Sequence, residues 1–499
     1  MNEARAHVRK PEDRPAALRK SEGEPLEAGW FVPARRLRRV AFVLGRHGFG
    51  ALAARLTAMT PFGRLEAPAG ARLGERIARV LADLGPTYIK LGQLLATRED
   101  LFPPEVTRAL GRLHAHAPPV RPRQIARAIA DALSADPREV FAHFDAEPLA
   151  AASIGQVHRA VLRSGEEVVI KVQRPGLAQV VAADLQLLRW LAALLSRSMP
   201  EVAALDPLAL IDAFARSITS ELDFRHEAEN ALELGRLLAS AEEVRVPRIY
   251  PEYTRPTLLV MERVHGRRLD ELDELGRQRA RAQLLRAFSR QILDHGVFHA
   301  DPHPGNVLIE TDPLGRQRVV LIDLGALDAV DASLRAGLSR LVRAVALGRR
   351  RALCDAVLAL SPDGATIDLD RARLERDLAE LIAGASGRGT GAEVLGKMVA
   401  VGRNHHLRLS PSLVALVRAL ALLDGVLRGL DPARDLVADL RREWLISAAR
   451  RLRRSLGGAA SALTFWPRRA ARLLSLPYRA LQRIWRNRRS WARLRDRQR

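Results

Sequence analysis

The segment FHADPHPGNVLIETDPLGRQRVVLIDLG spans residues 298–325 and contains the most informative local pattern of this chain. Its two apolar runs, VLI and VVLI, flank a turn at 314–315, and this pattern predicts a hairpin of two short buried strands. Asn306 precedes the first run and Asp323 follows the second. The hairpin would therefore bring these two polar side chains together at its open end.

Three side chains of this stretch, Asp301, Asn306 and Asp323, have the spacing that phosphoryl transfer requires. In protein kinases an Asp accepts the proton of the attacking hydroxyl, an Asn five residues later holds one Mg²⁺, and a further Asp in a D-x-G turn holds the other. Asp301 and Asn306 have that offset. The pattern therefore predicts ATP and Mg²⁺ as cofactors, Asp301 as the catalytic residue, and Asn306 and Asp323 as metal ligands.

A zinc site is the alternative for this stretch. Four residues with zinc-binding atoms lie close together in the sequence: His295, His299, Asp301 and His303. A zinc site would leave Asn306 and the turn at 323–325 without a role, whereas ATP with Mg²⁺ uses both. The magnesium hypothesis is therefore the stronger one.

Length and composition describe a globular protein of roughly two to four domains. The chain has 499 residues, of which 47% are apolar and 27% are charged. Its single cysteine, Cys354, excludes an internal disulfide framework and fits a reducing compartment. The sequence has no run of about eighteen uninterrupted apolar residues and no signal peptide, so we expect neither export nor a membrane-spanning helix.

The net charge of +23 is concentrated at the C-terminal end, where residues 450–499 contain sixteen Arg and one acid. Over 465–499, apolar residues at helical spacing among arginines predict an interfacial helix on an anionic bilayer, and packing against the protein is the alternative. The basic amphipathic helix expected over 34–59 has the same two interpretations. Since no nucleic-acid-reading module precedes the tail, we expect no specific nucleic-acid partner.

A β-rich segment begins at Glu147 and contains the expected phosphate-binding groups. Only five of the 80 basic residues are Lys, so a Lys in an apolar setting indicates a specific role. Lys171 ends the strand VVIK, where kinases have the Lys that pairs with the α- and β-phosphates. Ahead of it, Ala151, Ala152 and Ser153 take the place of a glycine-rich loop and would direct backbone amides at phosphate.

An acidic partner for Lys171 is expected from a long helix that begins with Asp206 as its N-cap. This helix carries ELDFRHEAENA, residues 221–231. Glu227 is the preferred partner because apolar residues accompany it along its side of the helix.

Two further strands, 244–250 and 257–261, would complete a five-stranded antiparallel lobe. Glu262 begins the connection to the second lobe and is assigned to nucleotide binding. Residues 329–445 are almost wholly helical by their apolar period.

Upstream of these segments, Gly85 and Pro86 separate two helices. The second helix places Lys90 and Gln93 on one face. Gly92 between them costs about 1 kcal/mol relative to Ala in a helix, so it indicates close approach of another backbone or a ligand. Taken alone, Lys90 and Gln93 do not distinguish a site from a polar surface.

Six motifs in order resemble the UbiB or AarF-type atypical kinases, also called ABC-one or aarF-domain kinases. They are KxGQ at 90–93, the Ala-rich loop at 150–153, VIK at 169–171, ExD at 221–223, HADPHPGN at 299–306 and DLG at 323–325. The resemblance implies a protein-kinase-like fold whose KxGQ helix lies over the cleft, meets the ExD acids and blocks peptide substrates. It also implies ATP-dependent support of ubiquinone biosynthesis at a membrane.

The resemblance assigns roles by position. Lys171 would hold the phosphates, Glu227 would orient Lys171, Asp301 would be the catalytic Asp, and Asn306 with Asp323 would bind Mg²⁺. The KxGQ and ExD motifs add four cofactor-binding candidates, which are Lys90, Gln93, Glu221 and Asp223. Many members end in two transmembrane helices, whereas this chain has an Arg-rich tail.

The expected architecture is an α+β, bilobal protein-kinase-like fold with an N-terminal helical KxGQ extension and a largely helical C-lobe. The expected segments are a leader with an amphipathic helix (1–60), the extension (61–135), the N-lobe (136–265), the C-lobe (266–445) and the Arg-rich tail (446–499).

The expected function is an atypical kinase or ATPase, cytoplasmic and peripherally associated with the inner membrane. Its expected partners are ATP and ADP, an anionic membrane surface, a lipid or quinone precursor, and quinone-biosynthesis proteins. Two alternatives stay open. One is a small-molecule phosphotransferase, because HxDxHxxN followed by IDxG also resembles aminoglycoside and choline kinases, and the other is a nucleotide-sensing scaffold with little turnover.

Overall fold

The computed structural model describes residues 34–49, 71–96, 102–113, 118–198, 203, 206–347, 349–361, 369–384, 391–405, 407, 410–432, 439, 442–443 and 446. The helices are α1 (Ala34–Arg46), α2 (Ala71–Leu84), α3 (Pro86–Leu95), α4 (Pro104–Leu110), α5 (Pro122–Leu133), α6 (Pro137–Val140), α7 (Leu177–Ser198), α8 (Pro207–Glu221), α9 (Phe224–Leu238), α10 (Glu274–Ser289), α11 (Ala332–Leu347), α12 (Arg350–Leu358), α13 (Arg371–Gly384), α14 (Gly391–Asn404) and α15 (Pro411–Leu430). The strands are β1 (Phe141–Ala151), β2 (Gly155–Leu162), β3 (Glu167–Gln173), β4 (Val244–Arg245), β5 (Leu258–Glu262), β6 (Val297–His299), β7 (Val307–Thr311), β8 (Gln317–Leu321) and β9 (Leu327–Ala329). The expected leader, the second half of the helix expected over 34–59 and nearly all of the Arg-rich tail lie outside the described residues.

The hairpin predicted within residues 298–325 is present as β7 and β8. The strands pair antiparallel with Val307 opposite Leu321. Gly315 in the turn has a φ of 76°, a left-handed conformation that glycine adopts without strain. Beyond the last pair, the Ile322 N–H donates to the Asn306 carbonyl at 3.0 Å. The two polar residues at the open end are therefore neighbours, as predicted.

The N-terminal sheet has four strands in the order β1-β2-β3-β5, and all its pairs are antiparallel. The fifth antiparallel strand predicted over 244–250 is present only in part. Residues 244–245 form β4, which pairs parallel with β8 in a separate sheet of order β4-β8-β7. After Pro247, which has no N–H to donate, Ile249 forms an isolated antiparallel bridge to Met261 of β5, and the Tyr250 N–H donates to the Val260 carbonyl at 3.0 Å.

The long helix predicted from Asp206 is in fact two helices, α8 and α9. The Asp206 side chain accepts a backbone hydrogen bond at the start of α8, as an N-cap does. At the break between the helices, the Gln173 side-chain amide donates to the Leu222 carbonyl at 2.7 Å. Asp223 then caps α9 by accepting from the Arg225 N–H at 3.0 Å. The break arises because the side chain of Gln173 in β3 takes the Leu222 carbonyl, which would accept an intrahelical hydrogen bond if the helix continued.

The chain divides into two compact units. The first contains residues 1–115 and 176–218, and the second contains residues 116–175 and 219–499. The sequence boundaries had placed 176–218 within the N-lobe, and helix α7 in this segment was not anticipated.

In the first unit, α2 and α3 meet at Gly85, whose φ of 103° permits the predicted break. A Cβ on Gly92 would lie 2.4 Å from the Leu113 side chain and 2.9 Å from that of Leu81. Two apolar side chains therefore fill the space beside Gly92, which corrects the expectation of a backbone or a ligand there.

Within the described residues, α7 is the one helix long and apolar enough to cross a membrane, over Leu177–Arg197. One such helix is weak evidence of a span, because the core helix of a globular protein has the same length and composition. Asp184 of α7 is fully buried and forms two hydrogen bonds with the Arg36 guanidinium of α1, one of them at 2.8 Å. A buried acid paired in this way is typical of a helix packed inside a protein.

In the second unit, helices α11 to α15 confirm the helical prediction for the described part of 329–445. Their apolar faces join one core with α9, α10 and the β7–β8 hairpin. Cys354 is fully buried in this core, and burial raises the pKa of its thiol. The cysteine is therefore an inert packing residue.

Candidate active site

The ion pair predicted between Lys171 and Glu227 is present in the second unit. Lys171 projects from β3 on the face opposite the buried Ile170 and Val172. Its Nζ donates to Glu227 Oε2 at 2.7 Å, from strand to the first turn of α9. The Glu227 side chain is 8% exposed and that of Lys171 is 21% exposed, so water reaches the pair from the lysine side.

Burial and charge act in opposite directions on Lys171. Burial lowers the pKa of Lys171, but the carboxylates of Asp323 and Glu227 outweigh it and raise the pKa above its usual value. Burial raises the pKa of Glu227, and the Lys171 ammonium opposes that rise. The ammonium also lies 5.2 Å from the centre of the Phe224 ring. Lys171 is therefore a fixed positive charge at every physiological pH.

Asp323 joins this pair from the end of the hairpin. Its Oδ2 lies 3.8 Å from Lys171 Nζ. Its Oδ1 accepts a hydrogen bond from the Gly325 N–H at 3.1 Å, which fixes the direction of the carboxylate. The side chain is 47% exposed, so the carboxylate is both oriented and accessible to a cation.

The turn that carries Asp323 is held by helix α9. Leu324, the next residue, is 2% exposed. The Asn230 side-chain amide donates to the Leu324 carbonyl at 2.9 Å. The Leu324 backbone also faces the Glu227 carboxylate and lowers its pKa. Two side chains of helix α9 therefore interact with this buried residue.

Asp301 lies on the loop that faces this turn. Strands β6 and β9 pair with His299 opposite Leu327, and the Ala300 N–H donates to the Ala326 carbonyl at 2.9 Å. With the hairpin contact at Asn306, these bonds tie both sides of the 301–306 loop to both sides of the Asp323 turn. The predicted catalytic Asp and metal ligands are thus held on two adjoining loops.

His299 supports the loop that carries Asp301, and it does so in its neutral form. It is 1% exposed, and burial lowers its pKa. Its Nδ1 accepts a hydrogen bond from the Asp301 N–H at 3.1 Å, which requires an unprotonated nitrogen there. Its own backbone N–H donates to the side-chain oxygen of the buried Gln291 at 2.9 Å. His299 therefore supports the Asp301 backbone through its Nδ1.

The donor atoms near Asn306 fit magnesium better than zinc. The Asn306 amide nitrogen donates to the Asp301 carbonyl at 3.1 Å, which leaves the amide oxygen as the ligand atom. One amide oxygen and the accessible Asp323 carboxylate are the hard oxygen donors that Mg²⁺ takes, with water and phosphate completing the shell. His303, a candidate in the zinc hypothesis, accepts from the Gly305 N–H at 3.1 Å. No group of three His, Cys, Asp or Glu able to hold a metal occurs among the described residues.

The Ala-rich loop closes the hairpin between β1 and β2. The Ala152 N–H donates to the Gly155 carbonyl at 2.8 Å, so this amide is already used inside the loop. Ser153 is buried. In the described chain, none of the loop residues 150–155 has a positive φ, which agrees with alanine in place of glycine. A role for Ala151, Ala152 and Ser153 in phosphate binding stays a prediction. It is least supported for Ala152, because the backbone N–H of that residue is already hydrogen-bonded within the loop.

The Glu262 side chain is engaged away from the lysine. Arg245 donates to its carboxylate at 2.8 and 2.9 Å and to that of Glu310 at 2.8 and 2.9 Å. The Arg248 N–H donates to Glu262 as well, at 2.9 Å. The Glu262 N–H is engaged too, because it donates to the Arg248 carbonyl at 2.8 Å, so the contact of Glu262 with a nucleotide stays a prediction.

The two acids of the ExD motif do different things. Glu221 contributes to the raised pKa of Lys171, so it acts on the same cluster. Asp223 caps α9 and pairs with Arg225 at 2.6 Å, and a hydrogen bond from that Arg lowers its pKa. Gln93 of the KxGQ motif belongs to the first unit, where its amide donates to the Leu113 carbonyl at 3.0 Å. The expected meeting of Lys90 and Gln93 with the ExD acids involves both units and stays a prediction.

Four residues of this environment were not anticipated from the sequence, namely Gln173, Asn230, Arg245 and Gln291. A signal existed for Asn230. It lies three residues after Glu227, among the buried Ala228, Ala231 and Leu234, and a polar residue on such a face indicates a specific partner. No local pattern identifies the other three.

Comparison with known proteins gives one family. Residues 112–356 match the ABC1 atypical kinase-like domain. This range contains Lys171, Glu227, Asp301, Asn306 and Asp323. The architecture of the second unit, a four-stranded antiparallel sheet with a helix that bears the Lys partner and a largely helical part after it, is the predicted protein-kinase-like α+β fold.

Relatives with similar sequences have one name in common. A protein of Cellvibrio japonicus (strain Ueda107), named probable protein kinase UbiB, is 32% identical over 380 residues, which cover 73% of this chain and 67% of that protein. One of Pseudomonas putida (strain W619) with the same name is 40% identical over 264 residues. That match covers 52% of this chain and 49% of the relative, so the chain spans about half the length of the Pseudomonas relatives it matches. Among solved structures, the Mycobacterium tuberculosis Rv3197–erythromycin complex is 25% identical, covers 70% of this chain and 90% of its own, and has a TM-score of 0.47.

Proposed function

The chain belongs to the UbiB or AarF-type ABC1 atypical kinase-like family, and on that premise we propose that it binds ATP with Mg²⁺ and transfers the γ-phosphoryl group to an acceptor or to water. The observation that carries the proposal is the convergence of Lys171, Glu227 and Asp323. Lys171 Nζ lies 2.7 Å from one carboxylate and 3.8 Å from the other. A strand lysine held between a helix glutamate and the Asp of a D-x-G turn is the arrangement that kinases use for nucleotide phosphates.

Each residue has a distinct task in this proposal. Lys171 donates to the α- and β-phosphates, and Glu227 keeps its ammonium in place. The Asn306 amide oxygen and the Asp323 carboxylate would hold Mg²⁺, which shields the phosphate charge when it is bound. Asp301, whose backbone is fixed by His299, accepts the proton of the attacking hydroxyl or water.

Nucleotide binding by purified variants tests the proposal. We expect Lys171→Met to weaken ATP binding with and without Mg²⁺, and Asp323→Asn to weaken it only with Mg²⁺. Lys397→Met is the matched control, because Lys397 is an exposed lysine on α14 far along the chain from the cluster. Wild-type affinity in Lys171→Met would rule out this site for ATP.

The acceptor is proposed from the relatives, which are named UbiB. We propose a role in isoprenoid quinone synthesis or membrane lipid homeostasis. ATP turnover with quinone-precursor mimics and anionic liposomes tests it, because stimulation supports the proposal. Phosphate transfer to a soluble metabolite would instead support a small-molecule phosphotransferase, and tight binding without turnover would support a nucleotide-sensing scaffold.

A peripheral membrane location is proposed from helix α1 in the first unit. Its outward side chains are all exposed and are Arg35, Arg38, Arg39, Phe42 and Arg46. Phe42 is 70% exposed, and each of these arginines lies one or two turns from it. An aromatic side chain among arginines on one helix face is typical of a helix that lies on an anionic lipid surface.

Flotation with liposomes tests this location. Full-length protein with Arg38→Glu, Arg39→Glu and Phe42→Ser should float less with anionic vesicles at low salt than the wild type does. A variant with Arg79→Glu and Arg108→Glu is the control, since both arginines are exposed on other helices of the same unit. Equal flotation of both variants and wild type would exclude α1 as the contact. RNA binding of the same proteins is measured in parallel. If the α1 variant loses both flotation and RNA binding, α1 is a general polyanion-binding surface.

A further inference from the structure

We propose that Asn230 is a positioning residue that couples helix α9 to the Asp323 carboxylate and thereby sets the affinity of the site for a divalent cation. The involvement of a cation rests on the proposed function, whereas the coupling of α9 to the Asp323 turn rests on observed contacts alone. Asn230 belongs to none of the six sequence motifs. Its side chain nevertheless reaches the turn on which the candidate metal ligand stands.

The contact joins a half-buried side chain to the carbonyl of a buried residue. The Asn230 Nδ2 donates to the Leu324 carbonyl at 2.9 Å, across 94 residues of sequence. Leu324 is 2% exposed, so its carbonyl has no access to bulk water that could replace the amide. A buried carbonyl without a donor is costly, and the turn would move to find one. The amide therefore fixes the Leu324–Gly325 peptide group, whose N–H donates to Asp323 Oδ1 at 3.1 Å.

Helix α9 holds the same turn at a second point. Glu227 lies three residues before Asn230, so the two side chains leave the helix on one face. The Glu227 carboxylate accepts a hydrogen bond from Lys171 Nζ at 2.7 Å, and the Leu324 backbone that faces it lowers its pKa. Any shift of α9 along or around its axis would therefore move the lysine partner and the Asp323 turn together. One face of α9 thus sets the position of Lys171 relative to Asp323.

The residue type matters as much as its position. An amide presents a donor to the Leu324 carbonyl without adding charge beside Glu227 and Asp323. An aspartate of the same size would set an acceptor against that carbonyl and would add a third carboxylate to the cluster. A serine is too short to reach across. These two substitutions therefore remove the same hydrogen bond in different ways.

The first experiment needs no nucleotide. Amide hydrogen exchange of the full chain, followed by mass spectrometry, reports the opening of the segment 322–326. We expect faster exchange there in Asn230→Ser and Asn230→Asp than in the wild type. Glu229→Gln is the matched control, because it exchanges a carboxylate and an amide at the adjacent, exposed position of the same helix. Unchanged exchange in both Asn230 variants would overturn the coupling.

The second experiment measures ATP affinity with Mg²⁺ and with EDTA. We expect both Asn230 variants to lose about two- to tenfold in affinity with Mg²⁺, the equivalent of one hydrogen bond, and to match the wild type with EDTA. An equal loss in both conditions, or unfolding of both variants at the assay temperature, would show a purely structural role and overturn the inference. Absence of ATP binding by the wild type would instead refute the proposed function and leave the exchange result standing.

Discussion

Neutralising Glu227 tests the physical basis of the site most directly. In Glu227→Gln the side chain keeps its size and loses the charge that faces Lys171 at 2.7 Å. At an effective dielectric constant of about 20, charges at that distance attract by about 6 kcal/mol before desolvation is counted, and charges 3.8 Å apart by about 4 kcal/mol. Asp323, at 3.8 Å, therefore keeps much of the attraction on Lys171 after the substitution.

The expected loss of stability is accordingly moderate. Removing one partner of a fully buried pair costs about 3–5 kcal/mol, and an exposed pair contributes at most about 1 kcal/mol. Lys171 is one-fifth exposed and retains Asp323, whose own attraction is screened because its side chain is half exposed. We expect Glu227→Gln to lower the free energy of unfolding by about 1–3 kcal/mol. Lys171 should then shift toward Asp323. This shift should cost more free energy in Mg²⁺-dependent ATP binding than the substitution costs in the free energy of unfolding.

A double-mutant cycle measures this interaction. Urea unfolding of wild type, Glu227→Gln, Lys171→Met and the double variant should give a coupling energy of about 1–2 kcal/mol. A coupling energy that is zero within error, or a Glu227→Gln variant with wild-type affinity for ATP and Mg²⁺, would refute the reasoning. Glu229→Gln again serves as the control on the same helix.

Three further predictions concern single residues. Asp323→Asn should abolish Mg²⁺-dependent ATP turnover while the protein stays folded by circular dichroism, since it removes a metal-binding carboxylate; wild-type turnover would contradict the assignment. Ala151→Gly should change the ratio of ATP to ADP affinities, because glycine widens the conformations of the loop that is expected over the phosphates; an unchanged ratio would place the loop elsewhere. His158 is fully buried, its Nδ1 bonds to the Asp145 carbonyl at 3.0 Å, and burial lowers its pKa. Its contribution to stability is therefore complete above about pH 6.5 and falls as the pH drops toward the folded-state pKa, so urea unfolding of His158→Phe should vary less between about pH 7 and about pH 5 than that of the wild type.

Features that depend on residues close together in the chain were predictable from its local patterns. The β7–β8 hairpin follows from two apolar runs and a Gly that takes a positive φ, and the hairpin is what places Asn306 beside the Asp323 turn. The offset between Asp301 and Asn306 is likewise fixed by the loop that joins them. Glu227 was correctly predicted to pair with Lys171, because the apolar residues beside it on the helix are also close in sequence.

Features that depend on partners far away in the chain became apparent only in the folded protein. Helix α8 ends where it does because Gln173, about fifty residues earlier, takes the Leu222 carbonyl. Residues 244–245 pair with β8, whereas Ile249 bridges to Met261 of β5, because the local pattern predicts burial and not the identity of the neighbouring strand. Glu262 is turned to Arg245, and Asn230 is turned to Leu324, by packing that no local period encodes. Apolar periodicity reports which face of an element is buried, whereas a hydrogen bond between distant residues exists only after the elements have packed.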